Sequence, residues 1–348
     1  METAGKFVVI YSSEQERFVT PHGLYLGEKV PAVETPERTK SLVQRLVESG
    51  QVEVVEPRAY PIEPILAVHD ADYVNFIRTV NSTPIDDPEI PEGKPAPVAY
   101  PFTFPYARPG LSKHRSRSII AQMGRYVFDL STPINSDTYP AAYKSVEVAL
   151  TGADMLANSH HAQRDLAGGF CFFNNAAIAA QYLLDHPTAP AQKVAILDLD
   201  FHHGNGTQDI FYETDSVLFV SLHHTPHGAY PYFSGFEDEI GVGKGEGFNI
   251  NYPLEAGTDE DTYTAVLNTA CDEIAKYGAD YLVVSLGFDT FCEDLISNFK
   301  LTEPYYETMA AIVSARLPGL PALIVGEGGY KVDKLGVLAL NFLKGWKS

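Results

Sequence analysis

Residues 194–208 read VAILDLDFHHGNGTQ. Four apolar residues, Val194 to Leu197, run straight into two carboxylates, two imidazoles and two glycines. The first half has the length and branching of a strand buried on both faces of a parallel sheet. The second half reads either as a polar strand-to-helix turn facing water or as a metal site. On extended backbone, residues two apart point the same way, so Asp200 and His202 can reach one ion. Gly204 and Gly206 let the chain approach closely.

Three further runs repeat the pattern. VLFVSL (residues 217–222) leads into His223 and His224, YLVVSLGF (281–288) leads into Asp289, and ALIV (322–325) leads into GEGGY, which ends at Tyr330. Helical stretches fall between them at NNAAIAAQYLLD, DEDTYTAVLNTACDEIAKYG and EPYYETMAAIVSARL. Alternating strands and helices predict one open, doubly wound, mostly parallel α/β sheet flanked by helices. Ligands in such sheets bind outside the carboxyl ends of the strands, so four sequence-distant polar clusters should meet on one rim. Asp289 joins Asp200 and His202 there, a three-ligand set that leaves a coordination position open, as in catalytic rather than structural zinc sites.

Composition bounds the rest. The 348 residues are 45% apolar and 20% charged, enough for a large core. The N-terminal METAGKFVVIYSS lacks the basic region and apolar run of a secretory signal, and no run approaches the ~18 apolar residues of a membrane span. Cys171, Cys271 and Cys292 are odd in number and far apart, which suits a reduced, cytoplasmic protein. The formal net charge of −20 repels nucleic acid and attracts cations. The Pro-, Tyr- and Phe-rich stretch from about Thr83 reads as a surface excursion, reaching to about residue 125, on a single catalytic domain spanning 1–348.

Taken together, LDLDFHHGNGTQDIFY, GGFCFFNNAAIAAQ, SLGFDT and EGGY resemble the arginase/deacetylase superfamily, and within it the acetylpolyamine amidohydrolases and histone deacetylases. The likeness is continuous from about Gly152 to the C-terminus and extends to the amino end through PAVETPERTKSL and VHDADYVNFI. The resemblance implies Zn²⁺, or Fe²⁺, on Asp200, His202 and Asp289. His161 would be general base and acid, His160 its electrostatic partner, Asp198 the anchor of His160 and Asn205 a contact of His161. Tyr330 would hydrogen-bond the scissile carbonyl. Gly169, Phe170 and Gly328 would contact substrate, with an aromatic from YPYF (230–233) on the facing wall. It further implies structural K⁺ at Asp198, Asp200, His202, Ser221 and Leu222, a second K⁺ at Phe211, Thr214 and Val217, and a homodimer that acts on small acylated amines.

The chain also departs from that pattern. The family carries a strand ending in Arg-Pro-Pro-Gly before its two histidines, and here roughly a dozen residues are absent before SHHA (159–162). An interior strand cannot be dropped without exposing both neighbouring edges. The expectation is a break or strained join near Asn158–His160, with His161 still beside the metal. Leu295 follows Asp294 where the family has proline. No acid lies between Glu92 and Asp129, whereas Lys94, Arg108, Lys113, Arg115, Arg117 and Arg125 do. That weakens a free-polyamine reading unless Asp86, Asp87, Glu89 and Glu92 fold back over the mouth. The alternatives are a protein N-acetyl-lysine deacetylase, or an impaired member that binds acylated amines without turnover. A dimanganese ureohydrolase needs a second carboxylate two residues from Asp289, where this chain has Gly287 and Phe291.

Overall fold

The structure is a computed structural model that describes residues 6–25, 28–80, 100, 101, 103, 118–153, 160–186, 188 and 190–347. In chain order the strands are β1 (Phe7–Ile10), β2 (Gly23–Tyr25), β3 (Glu28–Val30), β4 (Val52–Val55), β5 (Val194–Asp198), β6 (Val217–His224), β7 (Asn249–Leu254), β8 (Tyr281–Leu286) and β9 (Ala322–Gly326). The α-helices are α1 (Pro36–Glu48), α2 (Glu63–Val68), α3 (Ala71–Thr79), α4 (Ile119–Tyr126), α5 (Thr138–Ala153), α6 (Asn175–Leu184), α7 (Asn205–Phe211), α8 (Glu260–Tyr277), α9 (Tyr305–Arg316) and α10 (Val332–Lys347).

Five strands form one sheet in the order β7-β6-β5-β8-β9, every pair parallel. From β5 the chain moves outward through β6 and β7, then returns to the other side of β5 for β8 and β9. The order therefore switches between β5 and β8, where a crevice opens at the carboxyl ends. Both faces are covered. Ala195, Leu197, Leu218, Val220, Leu282 and Val284 pack in one apolar layer with residues of α8, α9 and α10. Their neighbours Val194, Ile196, Val217, Phe219 and Val283 pack in the other with α2, α3 and α6. Strand residues alternate between the layers with period two, which is why these runs are apolar without interruption. Each Val, Leu, Ile or Phe among them, fully buried, contributes on the order of 1.5–3 kcal/mol.

The expected parallel α/β sheet is present in these five strands, and two strand pairs lie outside it. β1 and β4 form a separate parallel pair, β2 and β3 an antiparallel one. Among the described residues β9 pairs only with β8 and β1 only with β4. A cavity of about 470 Å³ lies between them, lined by β1, by Ala322, Ile324 and Gly326 of β9, and by Leu42, Phe342 and Trp346. The join expected near Asn158–His160 falls on residues 154–159, outside the described residues, as do Thr83–Pro109 of the excursion apart from positions 100, 101 and 103.

A buried imidazole ties the start of α6 to the histidine segment. His69 Nδ1 lies 2.9 Å from the Gln163 carbonyl oxygen, and the Asn174 N–H donates to its Nε2 at 2.9 Å. Those partners need a neutral ring with its proton on Nδ1. Burial lowers the His69 pKa to about 4, and that of His223 likewise. A histidine whose pKa is depressed on folding contributes stability that is full above the unfolded value of about 6.5 and lost as pH falls through about 4, up to ~3 kcal/mol for each ring. Unfolding midpoints measured from pH 7.5 to 4 are expected to fall, with His69→Gln less stable at pH 7.5 but less acid-sensitive. An equal pH slope in both proteins contradicts the assignment.

Candidate active site

The rim at the switch point gathers Asp200, His202 and Asp289, all buried, with one potential ligand atom from each lying within 4.8 Å of the others. It is the one such group of three among the described residues. Strand β5 delivers the first two and β8 the third. Glycines make the room: a Cβ on Gly287 would sit 2.3 Å from Asp200 Oδ2, and one on Gly328 2.4 Å from Asp289 Oδ2. The Gly328 N–H donates to Asp200 Oδ2 at 2.8 Å, and the Phe201 N–H to Asp289 Oδ1 at 3.0 Å.

Two buried carboxylates facing each other need a cation. His202 Nδ1 lies 2.9 Å from Asp289 Oδ2 and 3.3 Å from Asp200 Oδ1. Burial opposes charge on this imidazole, but hydrogen bonds to the two acids outweigh it and raise its pKa to about 10. Of the acids, Asp289 is the one pushed up, to about 7, by burial and then by Asp200. These are the atoms a divalent ion would take in place of the proton, and two oxygens and one imidazole nitrogen suit Zn²⁺ or Fe²⁺. Phe291, at a position where a second metal would need an acid, is buried in the core.

The histidine pair lies beside this group although the segment before it is short. The rings of His160 and His161 are 4.1 Å apart, that of His161 is 6.1 Å from His202, and His160 Nε2 is 3.8 Å from Asp200 Oδ1. Asn174 holds the segment by donating from Nδ2 to the carbonyl oxygens of His160 (3.2 Å) and Ala162 (3.1 Å). Gly206 allows the approach, because a Cβ there would meet the Ala162 oxygen at 2.2 Å.

The second partners set the two imidazoles apart. His160 Nδ1 donates to Asp198 Oδ2 at 2.7 Å, whereas His161 Nδ1 faces the neutral Asn205 Oδ1 at 2.9 Å. Burial disfavours charge on His160, but Asp198 and Asp200 overcome it and hold its pKa well above the usual range. His161 has no carboxylate anchor. Burial, then the positive His160 and His202, hold its pKa well below the usual value. A cationic imidazole thus sits beside a neutral one whose Nε2 is free to accept a proton, the division that acid–base catalysis requires.

Tyr330 comes from the loop after β9. Burial raises its phenol pKa well above 10, more than the nearby Arg38 lowers it, so the hydroxyl stays protonated and can donate. Its loop is pinned by residues to which the sequence reading gave no role. The Tyr330 N–H donates to Asp294 Oδ2 at 2.6 Å. Partly buried Arg38, from α1, donates to the carbonyl oxygens of Gly329 (2.6 Å) and Glu327 (2.7 Å) and lies 4.7 Å over the Tyr330 ring centroid. Neither carries a motif of its own; only the folded backbone brings them there.

The remaining expected residues divide. Gly169, Phe170 and Gly328 line the cavity that reaches the triad, and the Phe170 ring is 6.3 Å from that of Tyr330. Of YPYF, Tyr230 reaches the site, its ring 5.1 Å from His161, while Phe233 is largely exposed. His223 and His224 stay outside it: His223 bonds Ser221 Oγ and the Gly235 carbonyl, and His224 the Thr225 carbonyl. Ser221 and Leu222 lie on β6 beside β5, whereas Phe211, Thr214 and Val217 lie at the far end, where α7 passes into β6.

A parallel α/β sheet carrying this acid–imidazole set at its switch point defines a hydrolytic enzyme of the deacetylase class. Comparison agrees: a histone deacetylase domain matches residues 32–346. Acetylpolyamine amidohydrolase 1 of Pseudomonas aeruginosa is 41% identical over 350 residues, covering 97% of this chain and 98% of that protein. The acetylpolyamine amidohydrolase of Mycoplana ramosa is 42% identical over 349 residues, covering 97% and 98%. A crystal structure of the acetylpolyamine aminohydrolase from Burkholderia pseudomallei superimposes with a TM-score of 0.88 at 34% identity, covering 99% of each chain. This chain belongs to the histone deacetylase domain family and is a hydrolase acting on amides.

Proposed function

We propose that the protein is a Zn²⁺-dependent amidohydrolase, Fe²⁺ serving as an alternative metal, that releases acetate from small acetylated amines of the polyamine class. The observation that carries this reading is the unequal histidine pair beside a buried three-ligand group. When bound at Asp200, His202 and Asp289, the metal supplies Lewis-acid chemistry, polarising a carbonyl and acidifying a water. His161, kept neutral by burial and by the positive His160 and His202, takes the water's proton at Nε2. Tyr330 donates its hydroxyl hydrogen to the amide oxygen as negative charge gathers there. The proton then passes from the histidine pair to the leaving amine, with His160, held cationic by Asp198, favouring its release. Phe170 and Tyr230 flank the alkyl stem of the amine and keep water from it.

The relatives' names and the charge of −20 favour a cationic substrate. The reading includes a single catalytic unit over 1–348, with one K⁺ beside Asp198, Ser221 and Leu222 and a second at Phe211, Thr214 and Val217. It also includes a homodimer in the cytoplasm, with no nucleic-acid or membrane partner. Among the described residues no helix is long and apolar enough to cross a membrane. The test is kcat/KM of zinc-loaded protein on acetylputrescine and acetylcadaverine, in competition with acetyl-lysine peptides and amides bearing an acidic tail. The small cationic amides are expected to lead. A preference for acetyl-lysine peptide makes the protein a protein deacetylase, and a preference for acidic tails makes the basic stretch from Lys94 a specificity element.

A further inference from the structure

Two walls of the site are fastened to one residue that lies outside the catalytic set. Asp129 Oδ2 accepts the Gly169 N–H at 2.7 Å and the Tyr230 hydroxyl at 2.8 Å, while its Oδ1 accepts the Ser131 N–H at 2.9 Å. The two donors come from segments far apart in the chain, and both pack against His161. A Cβ on Gly169 would fall 2.3 Å from His161 Cδ2, so backbone lies directly against the imidazole. The Tyr230 ring meets His161 at 5.1 Å and 88° and His202 at 6.4 Å.

The first wall is held in a conformation that needs support. Gly169 has φ +56° and Phe170 has φ +66°. A left-handed phenylalanine is unfavourable by about 1–3 kcal/mol and persists only where neighbours over-determine it. Asp129 fixes Gly169, and Thr132 Oγ1 accepts the Phe170 N–H at 3.2 Å. The segment carrying both acceptors runs beside this loop: the Phe128 N–H donates to the Ala167 oxygen at 3.0 Å, and the Ala167 N–H to the Tyr126 oxygen at 2.7 Å. Phe128 stacks on Tyr230 at 6.1 Å and meets Phe233 edge-on at 5.7 Å. Bonds from two donors to one carboxylate are the stronger, charge-assisted kind.

We propose that Asp129 is a positioning residue for substrate binding: its carboxylate fixes the Gly169–Phe170 backbone and the Tyr230 ring relative to each other and to His161, and so sets the width of the channel that takes the alkyl stem of the acylated amine. Asp129 touches neither the reacting atoms nor the metal ligands. The stem is held equally in ground and transition states, so loss of the pin raises KM and leaves kcat nearly unchanged. The proposal rests on the amidohydrolase reading for its substrate, while the geometry of the pin can be measured without one.

The test uses zinc-loaded, full-length protein with acetylcadaverine, with metal content checked in each variant. Asp129→Ala is expected to raise KM about ten-fold with kcat within about two-fold. Asp129→Asn keeps a carbonyl oxygen with two lone pairs for the same donors and is expected to recover most of that KM. Tyr230→Phe should raise KM about three-fold, and adding it to Asp129→Ala should cost nothing more, because the bond it removes is already absent there. Amide exchange followed by mass spectrometry gives the substrate-free readout. Asp129→Ala should lose protection in residues 167–173 and 229–234 together, and Tyr230→Phe in 229–234 alone, which serves if the alanine variant does not fold. Wild-type KM in Asp129→Ala, an Asn variant as weak as Ala, multiplying effects in the double variant, or unchanged exchange in both segments would each overturn the proposal. Wild-type protein that hydrolyses no acylated amine overturns the function instead, and exchange then decides the pin.

Discussion

Asp289→Ala is expected to lose its bound metal and, with it, measurable turnover. The side chain is fully buried and offers one of the three potential ligand atoms. Its removal leaves Asp200 and His202 alone at the end of β5, too few to hold a divalent ion in a catalytic arrangement. It also takes the acceptor from the Phe201 N–H, a buried donor whose loss of partner costs about 1–3 kcal/mol. The variant should therefore be somewhat less stable than the metal-free wild type, as well as inactive. Elemental analysis after dialysis against Zn²⁺ checks it. Undiminished zinc in Asp289→Ala, or two ions per wild-type chain, would remove the three-ligand site.

Tyr330→Phe should separate chemistry from binding. The phenylalanine ring fills the same space, so Arg38 can still lie over it and Asp294 can still hold its backbone. What disappears is a single hydroxyl that burial keeps protonated. Losing one donor to a developing oxyanion lowers turnover ~10²–10³-fold, about 2.7–4 kcal/mol of transition-state stabilisation. Metal content and KM should stay near wild type, since the donor acts most strongly when charge has formed. Near-full kcat in this variant would show that the phenol has no such role.

Much of this architecture is legible in the chain because its most informative segments are buried on both sides. Uninterrupted runs such as Val194–Leu197 announce parallel strands, and the residues just after them must lie on the rim. The edge strand β7 escaped that reading: its sequence NINYPL mixes amides with apolar residues, and Asn249 and Asn251 donate to Gln208 rather than pack in a core. Asp129, Asn174, Arg38 and Asp294 were equally hidden as holders of the site. Each acts through backbone groups tens to hundreds of residues away, and no local pattern records that. His223 and His224 show the converse, a motif-like pair at a strand end that serves only internal hydrogen bonds.

The relatives align over 349 and 350 residues with 97% of a 348-residue chain, so some of their positions have no counterpart here. Among the described residues β9 pairs only with β8 and β1 only with β4, and residues of both strands line one cavity. His160 and His161 nevertheless reach Asp198 and Asn205, because Asn174, Gly206 and His69 fix that segment from its far side. The pair is anchored from its carboxyl-terminal side, and the proposed function takes it as competent although the sequence before His160 is short.

That claim is tested most directly by titrating metal-free protein with Zn²⁺ while measuring acetate release from acetylcadaverine. Activity is expected to rise in proportion to added zinc and to level off at one ion per chain. No acetate at one bound zinc per chain would contradict it, and would make this a member of the family that binds acylated amines without hydrolysing them.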